Sequence, residues 1–225
     1  MPTGRSLLAR DVRFTRDDAE FDRAIGFVDA TYALALTLLV TTLDVANPAE
    51  AFKDPGSLFD AVGPQFIAFL IAFAVIANYW LEHHRMISAW GAIDAQAIGA
   101  NLVLVCAIVL LPFSTQSVGD PDVEGLALPT VIMALNVAAA SVLHAWVFSI
   151  GLRRGLLADA RPQAELRGYV ILGLIPAAVF LASIPVAVLV SPEIGRAFWL
   201  ILLVVEPVAH RMVSASVAQA QSPAG

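Results

Sequence analysis

Six stretches of the chain read as nearly unbroken apolar runs, roughly 24–45, 63–84, 98–118, 126–150, 168–190 and 197–213. A helix needs about 20 mostly apolar residues to cross the hydrocarbon core of a bilayer. The pattern therefore predicts an all-α membrane protein with six transmembrane helices. The separators read as turns: NPAEAFKDPGS, the HHRMISAWGAID region, GDPDVEG, RRGLLADARPQAELR and SPEIGR. The last run is the shortest and carries Glu206-Pro207. No linker, low-complexity tract or internal repeat divides the chain. Residues 1–225 read as a single six-helix domain, with 1–22 a cytoplasmic N-terminal segment (a tail or surface helix) and 214–225 a cytoplasmic tail.

Charge orients these runs. With the N-terminus inside, the cytoplasmic segments hold eleven basic residues: Arg5, Arg10, Arg13, Arg16, Arg23, Arg85, Arg153, Arg154, Arg161, Arg167 and Arg211. The outer loops hold two, Lys53 and Arg196, and collect the acids Asp44, Glu50, Asp54, Asp60, Asp120, Asp122 and Glu124. Lys and Arg concentrate in cytoplasmic loops, so the bias predicts an even number of spans with both termini cytoplasmic. A missed span would scramble the alternation.

Composition agrees. The chain is 59% hydrophobic and 14% charged, against about 45–50% and 25% for soluble domains. Mean hydropathy is +0.78. The N-terminal MPTGRSLLARDVRFTRDDAEFDR is mixed in charge and lacks the apolar core of a signal peptide. Cys106 is the lone cysteine, which leaves no disulfide framework or Cys-based metal site. The dispersed arginines form no nucleic-acid footprint. His83 and His84 are adjacent, point about 100° apart on a helix and do not chelate one metal. No nucleophile elbow, phosphate loop or zinc-protease motif occurs, so the reading is not an enzyme, with no cofactor and no metal.

The stretch RAIGFVDATYALALTLLV, residues 23–40, holds two charges in a greasy run. At 3.6 residues per turn, Leu34, Leu38 and Thr41 share a stripe, with Thr37 beside it. Ala30, Thr31, Phe27 and Arg23 continue that stripe inward. Asp29 lies five residues from Leu34, roughly 140° away. An ionised Asp facing lipid costs about 2.5–3.5 kcal/mol, so Asp29 should face neighbouring helices. Donors available at the same depth lie in NYWLEHHRM: Trp80, His83, His84 and Arg85. The plain reading is a polar clamp between two helices; the sharper one is a gate or proton relay.

These residues carry a resemblance. Arg23-Ala-Ile-Gly-Phe27-Val28-Asp29 is similar to the R-x-x-x-F-S-D signature of the transmembrane protein 175 family of potassium channels. Tyr79-Trp80-x-x-His83-His84-Arg85 and Leu110-Leu111-Pro112-Phe113 resemble the family too. The likeness covers the first half of the chain; the later helices match in hydropathy and number. It implies a bacterial, single-repeat member, in which four subunits place helix 1 around a central pore. It implies Leu34 as the constriction, Leu38 and Thr41 as the next pore-facing turns, and Thr37 as a residue linked to selectivity. Arg23, Phe27, Asp29, Trp80, His83, His84 and Arg85 would form the motif network. Val28 stands where the family usually has Ser, which removes a hydroxyl from that network.

A pore without a carbonyl filter is physically sound, since hydrophobic constrictions gate by dewetting and closed homo-oligomers are the rule. No TVGYG-like loop is present. The expected function is thus a potassium-permeable cation channel with a leucine constriction. Its partners are potassium and other monovalent cations, the lipid bilayer and three further copies of itself, in a bacterial cell membrane. The alternative is a proton-coupled secondary transporter or a proton-conducting protein using Asp29 and the helix 2 histidines. Without the motif, a leucine stripe is ordinary packing. Elsewhere, Pro112, Pro176, Pro185 and Pro207 are expected to kink or end helices. Asn78, Asn101, Asn136 and His144 are expected to bond across helices. Glu206, an acid in a span, is expected to find solvent or His210.

Overall fold

The computed structural model describes residues 12–45, 47–123, 125–159 and 163–221. Arg5, Arg10, Glu124, Arg161 and the ends of the two terminal segments (1–11 and 222–225) lie outside them. Among the described residues, six helices are long and apolar enough to cross a membrane: Ala19–Thr42, Pro55–Ser88, Ala95–Gly119, Ala127–Arg153, Glu165–Leu189 and Pro192–Ser216. They are called the first to sixth spans below. Each coincides with one of the six apolar runs, so run length located every span.

Helix starts follow local chemistry. Asp54 precedes Pro55 and accepts from the Ser57 N–H at 2.9 Å and from the Ser57 hydroxyl at 2.8 Å. These bonds hold its carboxyl below the usual carboxylate range. Asp94 accepts from the Ala97 N–H at 2.9 Å, and Ser191, before Pro192, from the Ile194 N–H at 3.2 Å. A short acceptor at the N-cap satisfies a donor that the helix cannot. The fourth span ends at Gly155, whose φ of +61° suits glycine. Leu156 N–H then reaches Gly151 O at 2.9 Å and Gly155 N–H reaches Leu152 O at 3.2 Å, the paired bonds of a Schellman end.

Several boundaries differ from the sequence reading. The HHRMIS stretch is no turn; the second span runs through it to Ser88. A one-turn helix, Pro48–Ala51, interrupts the first outer separator. The third span breaks into Ala95–Val109 and Leu111–Gly119 at Leu110, beside Pro112. The sixth begins earlier, at Pro192, and passes through a tight turn at Phe198–Ile201 before continuing as Leu202–Gln221. Pro176, Pro185 and Pro207 lie inside helices, as does Pro64, which membrane helices tolerate when neighbours re-satisfy the freed groups.

Between residues 12 and 18 the N-terminal segment is not a helix; the first span already begins at Ala19. Arg13–Thr15 (β1) pairs antiparallel with Ala92–Asp94 (β2), with Phe14 opposite Ile93. Apolar–polar alternation over about 4–8 residues marks a strand in sequence, and β1 is too short to show it. The ribbon gathers the ends of four spans at one end of the bundle, here the near end. Arg16 donates to Trp90 O at 2.6 Å, Ile87 O at 2.8 Å and Ser88 O at 2.9 Å, gathering carbonyls at and just past the end of the second span. Gly91 N–H donates to Leu156 O at 2.7 Å. Asp94, fully buried, forms an ion pair with Arg154. Trp90 is buried here against Gly151. At the far end, Arg196 donates to Val118 O at 3.0 Å and Gln65 accepts from Asp44 N–H at 2.7 Å.

Candidate functional site

The first span presents two opposite faces. Phe21, Val28, Tyr32, Ala35 and Leu39 are buried in the protomer core. Arg23, Phe27, Ala30, Leu34, Thr37, Leu38 and Thr41 are exposed, Leu34 at 55%. The stripe read from helical pitch is therefore the face that the protomer leaves uncovered. On it, Thr37 donates its hydroxyl hydrogen to Ala33 O at 2.8 Å and Thr41 to Leu38 O at 2.7 Å. With the hydrogens turned to the backbone, the hydroxyl oxygens keep lone pairs free to accept.

Asp29 turns toward the second span. Among the four donors weighed from sequence, Trp80 takes it: the indole N–H donates to Asp29 Oδ1 at 3.1 Å. His84 stacks on the Trp80 ring, with centroids 5.5 Å apart. Arg85 pairs instead with Glu82, three residues before it, at 2.7 Å. His83 points to the other side, into the core. Arg23 is exposed and makes no hydrogen bond or ion pair among the described residues, so within one protomer it ties nothing to helix 1.

A buried polar layer backs the first span. Asn101 donates through Nδ2 to Ala97 O at 2.8 Å, which leaves Oδ1 facing His83 Nε2 at 2.8 Å. His83 must then carry its proton on Nε2. Tyr169 donates its hydroxyl hydrogen to Glu82 O at 2.8 Å and contacts His144 Nε2 at 3.2 Å, so His144 is also protonated on Nε2. The two imidazoles meet edge to face at 6.1 Å, and Tyr32 lies 5.7 Å from His83. His83 Nδ1, His144 Nδ1 and the Tyr32 hydroxyl have no partner among the described residues. Tyr79 completes the layer, contacting Ser141 Oγ at 2.6 Å and donating to Val137 O at 2.9 Å. Asn136 donates to Ser114 Oγ at 2.7 Å, so Asn101, Asn136 and His144 bond across helices as expected, whereas the Asn78 side chain makes no hydrogen bond among the described residues.

At the far end, a cavity of about 620 Å³ is lined by Asp44, Glu50, Asp60, Asp120 and Asp122. Loops distant in sequence assemble this acidic basin. Among the described residues no three His, Cys, Asp or Glu side chains converge as a metal site.

Sequence reasoning did not single out Tyr32 or Arg16. Tyr32 lies seven residues C-terminal to Ile25 and on the Val28 face, so its burial is legible from pitch once that face is known. Arg16 gave no signal, because its targets are backbone carbonyls more than seventy residues away.

Comparison with known proteins places this geometry among relatives. Residues 23–112 match the family model described as endosomal/lysosomal potassium channel TMEM175. A potassium channel of Streptomyces collinus is 30% identical over 104 residues, covering 45% of this chain and 48% of its own. A potassium channel of Chamaesiphon minutus is 30% identical over 107 residues, covering 46% and 52%. The alignments thus span about half the length of these relatives. The crystal structure of a lysosomal potassium-selective channel TMEM175 homolog from Chamaesiphon minutus superposes with a TM-score of 0.70 at 20% identity, over 85% of this chain and 98% of that one. The likeness to that structure is one of fold.

Proposed function

We propose, from the match of residues 23–112 to the TMEM175 family model, that the protein is a potassium-permeable cation channel built from four copies. The first span of each copy lines a central pore, and 1–225 is one channel domain. Leu34 is the constriction, Leu38 and Thr41 are the next turns toward the far end, and Thr37 sits beside them. The near end faces the cytoplasm of a bacterial cell, a reading supported by the arginine bias.

The observation that carries this reading is the uncovered stripe of the first span. A face of Leu34, Thr37, Leu38 and Thr41 left bare by its own protomer accepts either lipid or three symmetry mates. The neighbouring Arg23-to-Asp29 motif favours the mates. Four Leu34 side chains at one level make a ring that excludes water when narrow. The Thr37 oxygens, with lone pairs outward, offer acceptors to a partly dehydrated cation. The acidic far-end basin raises the local cation concentration at the mouth. Asp29 and Trp80 hold the start of the first span in its azimuth, so that the stripe points at the axis. The carrier reading gains less, because His83 is sealed in the core with Nε2 committed to Asn101 rather than facing Asp29.

Leu34→Ala tests the assignment. In proteoliposomes it should raise potassium flux and let larger monovalent cations through. Flux and ion preference equal to the unmodified protein would remove Leu34 from the constriction.

A further inference from the structure

The first span enters the bundle through a strap that the motif residues do not include. β1 pairs with β2 and ends at Thr15, and the first helix begins at Ala19. The turn between them has no slack. Asp18 accepts from the Thr15 N–H at 2.7 Å and from the Thr15 hydroxyl at 2.9 Å, and its own N–H donates to Thr15 O at 3.0 Å. Arg16 sits inside this turn. Its side chain bonds Ile87 O, Ser88 O and Trp90 O, and its N–H donates to Gly91 O at 3.3 Å. The guanidinium carbon also lies 5.4 Å from the centre of the Phe21 ring, on the buried face of the first helix. One side chain thus ties the start of the first span to the end of the second. Residues 13–18 lie outside the segment that matches the channel family.

Beyond this strap, little in the first span resists sliding. Among the described residues, Thr31, Thr37, Thr41 and Thr42 return their hydroxyl hydrogens to the span's own backbone. Tyr32, Ala35 and Leu39 pack into the core as apolar surface, which is non-directional. The remaining directional ties are single bonds, Trp80 to Asp29 and Asp44 N–H to Gln65. Arg16 instead brings three charge-assisted bonds in one rigid fork. A slip of one residue moves a helix by about 1.5 Å along its axis. Leucines from four copies seal a ring only when they meet at one level.

We propose that Arg16 is a positioning residue for the constriction: anchored on the end of the second span, it sets the height of the first span and so the level of Leu34. Leu34 lies fifteen residues above Ala19, about 22 Å at the helical rise, and the helix between them carries the height from anchor to ring. This inference rests on the pore reading.

The test is potassium flux in proteoliposomes of the unmodified protein, Arg16→Ala, Leu34→Ala and the double variant. Arg16→Ala should raise resting flux about threefold or more, because staggered leucines no longer close one ring. It should add nothing to Leu34→Ala, where the ring is already gone. Unaltered flux in Arg16→Ala beside raised flux in Leu34→Ala overturns the anchor and leaves the pore reading standing. Unaltered flux in Leu34→Ala overturns the pore reading, and the anchor with it. A further rise in the double variant means that the strap acts elsewhere, and overturns the proposal too. A re-tied protein separates position from loss of fold. Thr15 and Ala92 are opposite each other in the ribbon. Thr15→Cys and Ala92→Cys, combined with Arg16→Ala and Cys106→Ala and reconstituted oxidised, hold the strap by a disulfide. Flux should match the unmodified protein and rise about threefold or more when dithiothreitol cleaves the bond. Flux that is raised before reduction, or that reduction leaves unaltered, overturns the anchor.

Discussion

The Trp80–Asp29 bond makes a quantitative claim about how the first span is aimed. The perturbation is a double-mutant cycle with Trp80→Phe, Asp29→Ala and the pair. Phe keeps a ring for His84 to stack on and removes the N–H donor together with the second ring of the indole, a packing loss that the cycle cancels. The Trp80 bond at 3.1 Å is the hydrogen bond that Asp29 accepts among the described residues. Hydrogen bonds to charged groups contribute about 1.5–3 kcal/mol in soluble proteins. Cross-helix bonds in a membrane average nearer 0.6 kcal/mol, with a maximum of about 1.7. Asp29 is charged but only half-buried, which puts the expected coupling at about 1–1.5 kcal/mol. The assay is reversible unfolding of the full chain in mixed micelles of increasing denaturing-detergent fraction, read by tryptophan fluorescence and circular dichroism. Single losses that add to the double loss within about 0.3 kcal/mol would refute the clamp. Asp29 would then be held by something outside the protomer.

Other substitutions probe the near end and the core. Arg154→Ala strands the fully buried Asp94 carboxylate and should destabilise by about 3–5 kcal/mol; a thermal unfolding shift equivalent to under about 1 kcal/mol would contradict the pairing. Gly151→Ala places a methyl 2.5 Å from Trp90 Cζ2, an overpacking cost of about 1–3 kcal/mol, visible as a shift of tryptophan emission; an unshifted spectrum with unchanged stability would disprove the contact. Val28→Ser restores the family hydroxyl on a buried face. The new hydroxyl can bond the carbonyl one turn back, as Thr31 does to Phe27 O, so the cost should be near 1 kcal/mol. Potassium flux should be unaltered, and a changed ion preference would place residue 28 on the ion path.

Six spans and the azimuth of the first one were legible in the chain alone. Both are local properties. Run length counts residues against bilayer thickness, and pitch separates Leu34 from Asp29 whatever surrounds them. The uncovered stripe and the buried Val28–Tyr32 face follow from that pitch. Partners were a different matter. Trp80, His83, His84 and Arg85 all sit at a depth from which Asp29 is reachable, and only the rotation of the second span against the first chose Trp80 and sent His83 to Asn101. The β1–β2 ribbon, the carbonyls gathered by Arg16 and the Asp94–Arg154 pair join residues that are distant in the chain. Their pairing depends on where four helix ends meet, and no periodicity records that. Glu206 shows both sides of the division: hydropathy marked it as an acid out of place, and the packing of four spans decided that it would face a cavity.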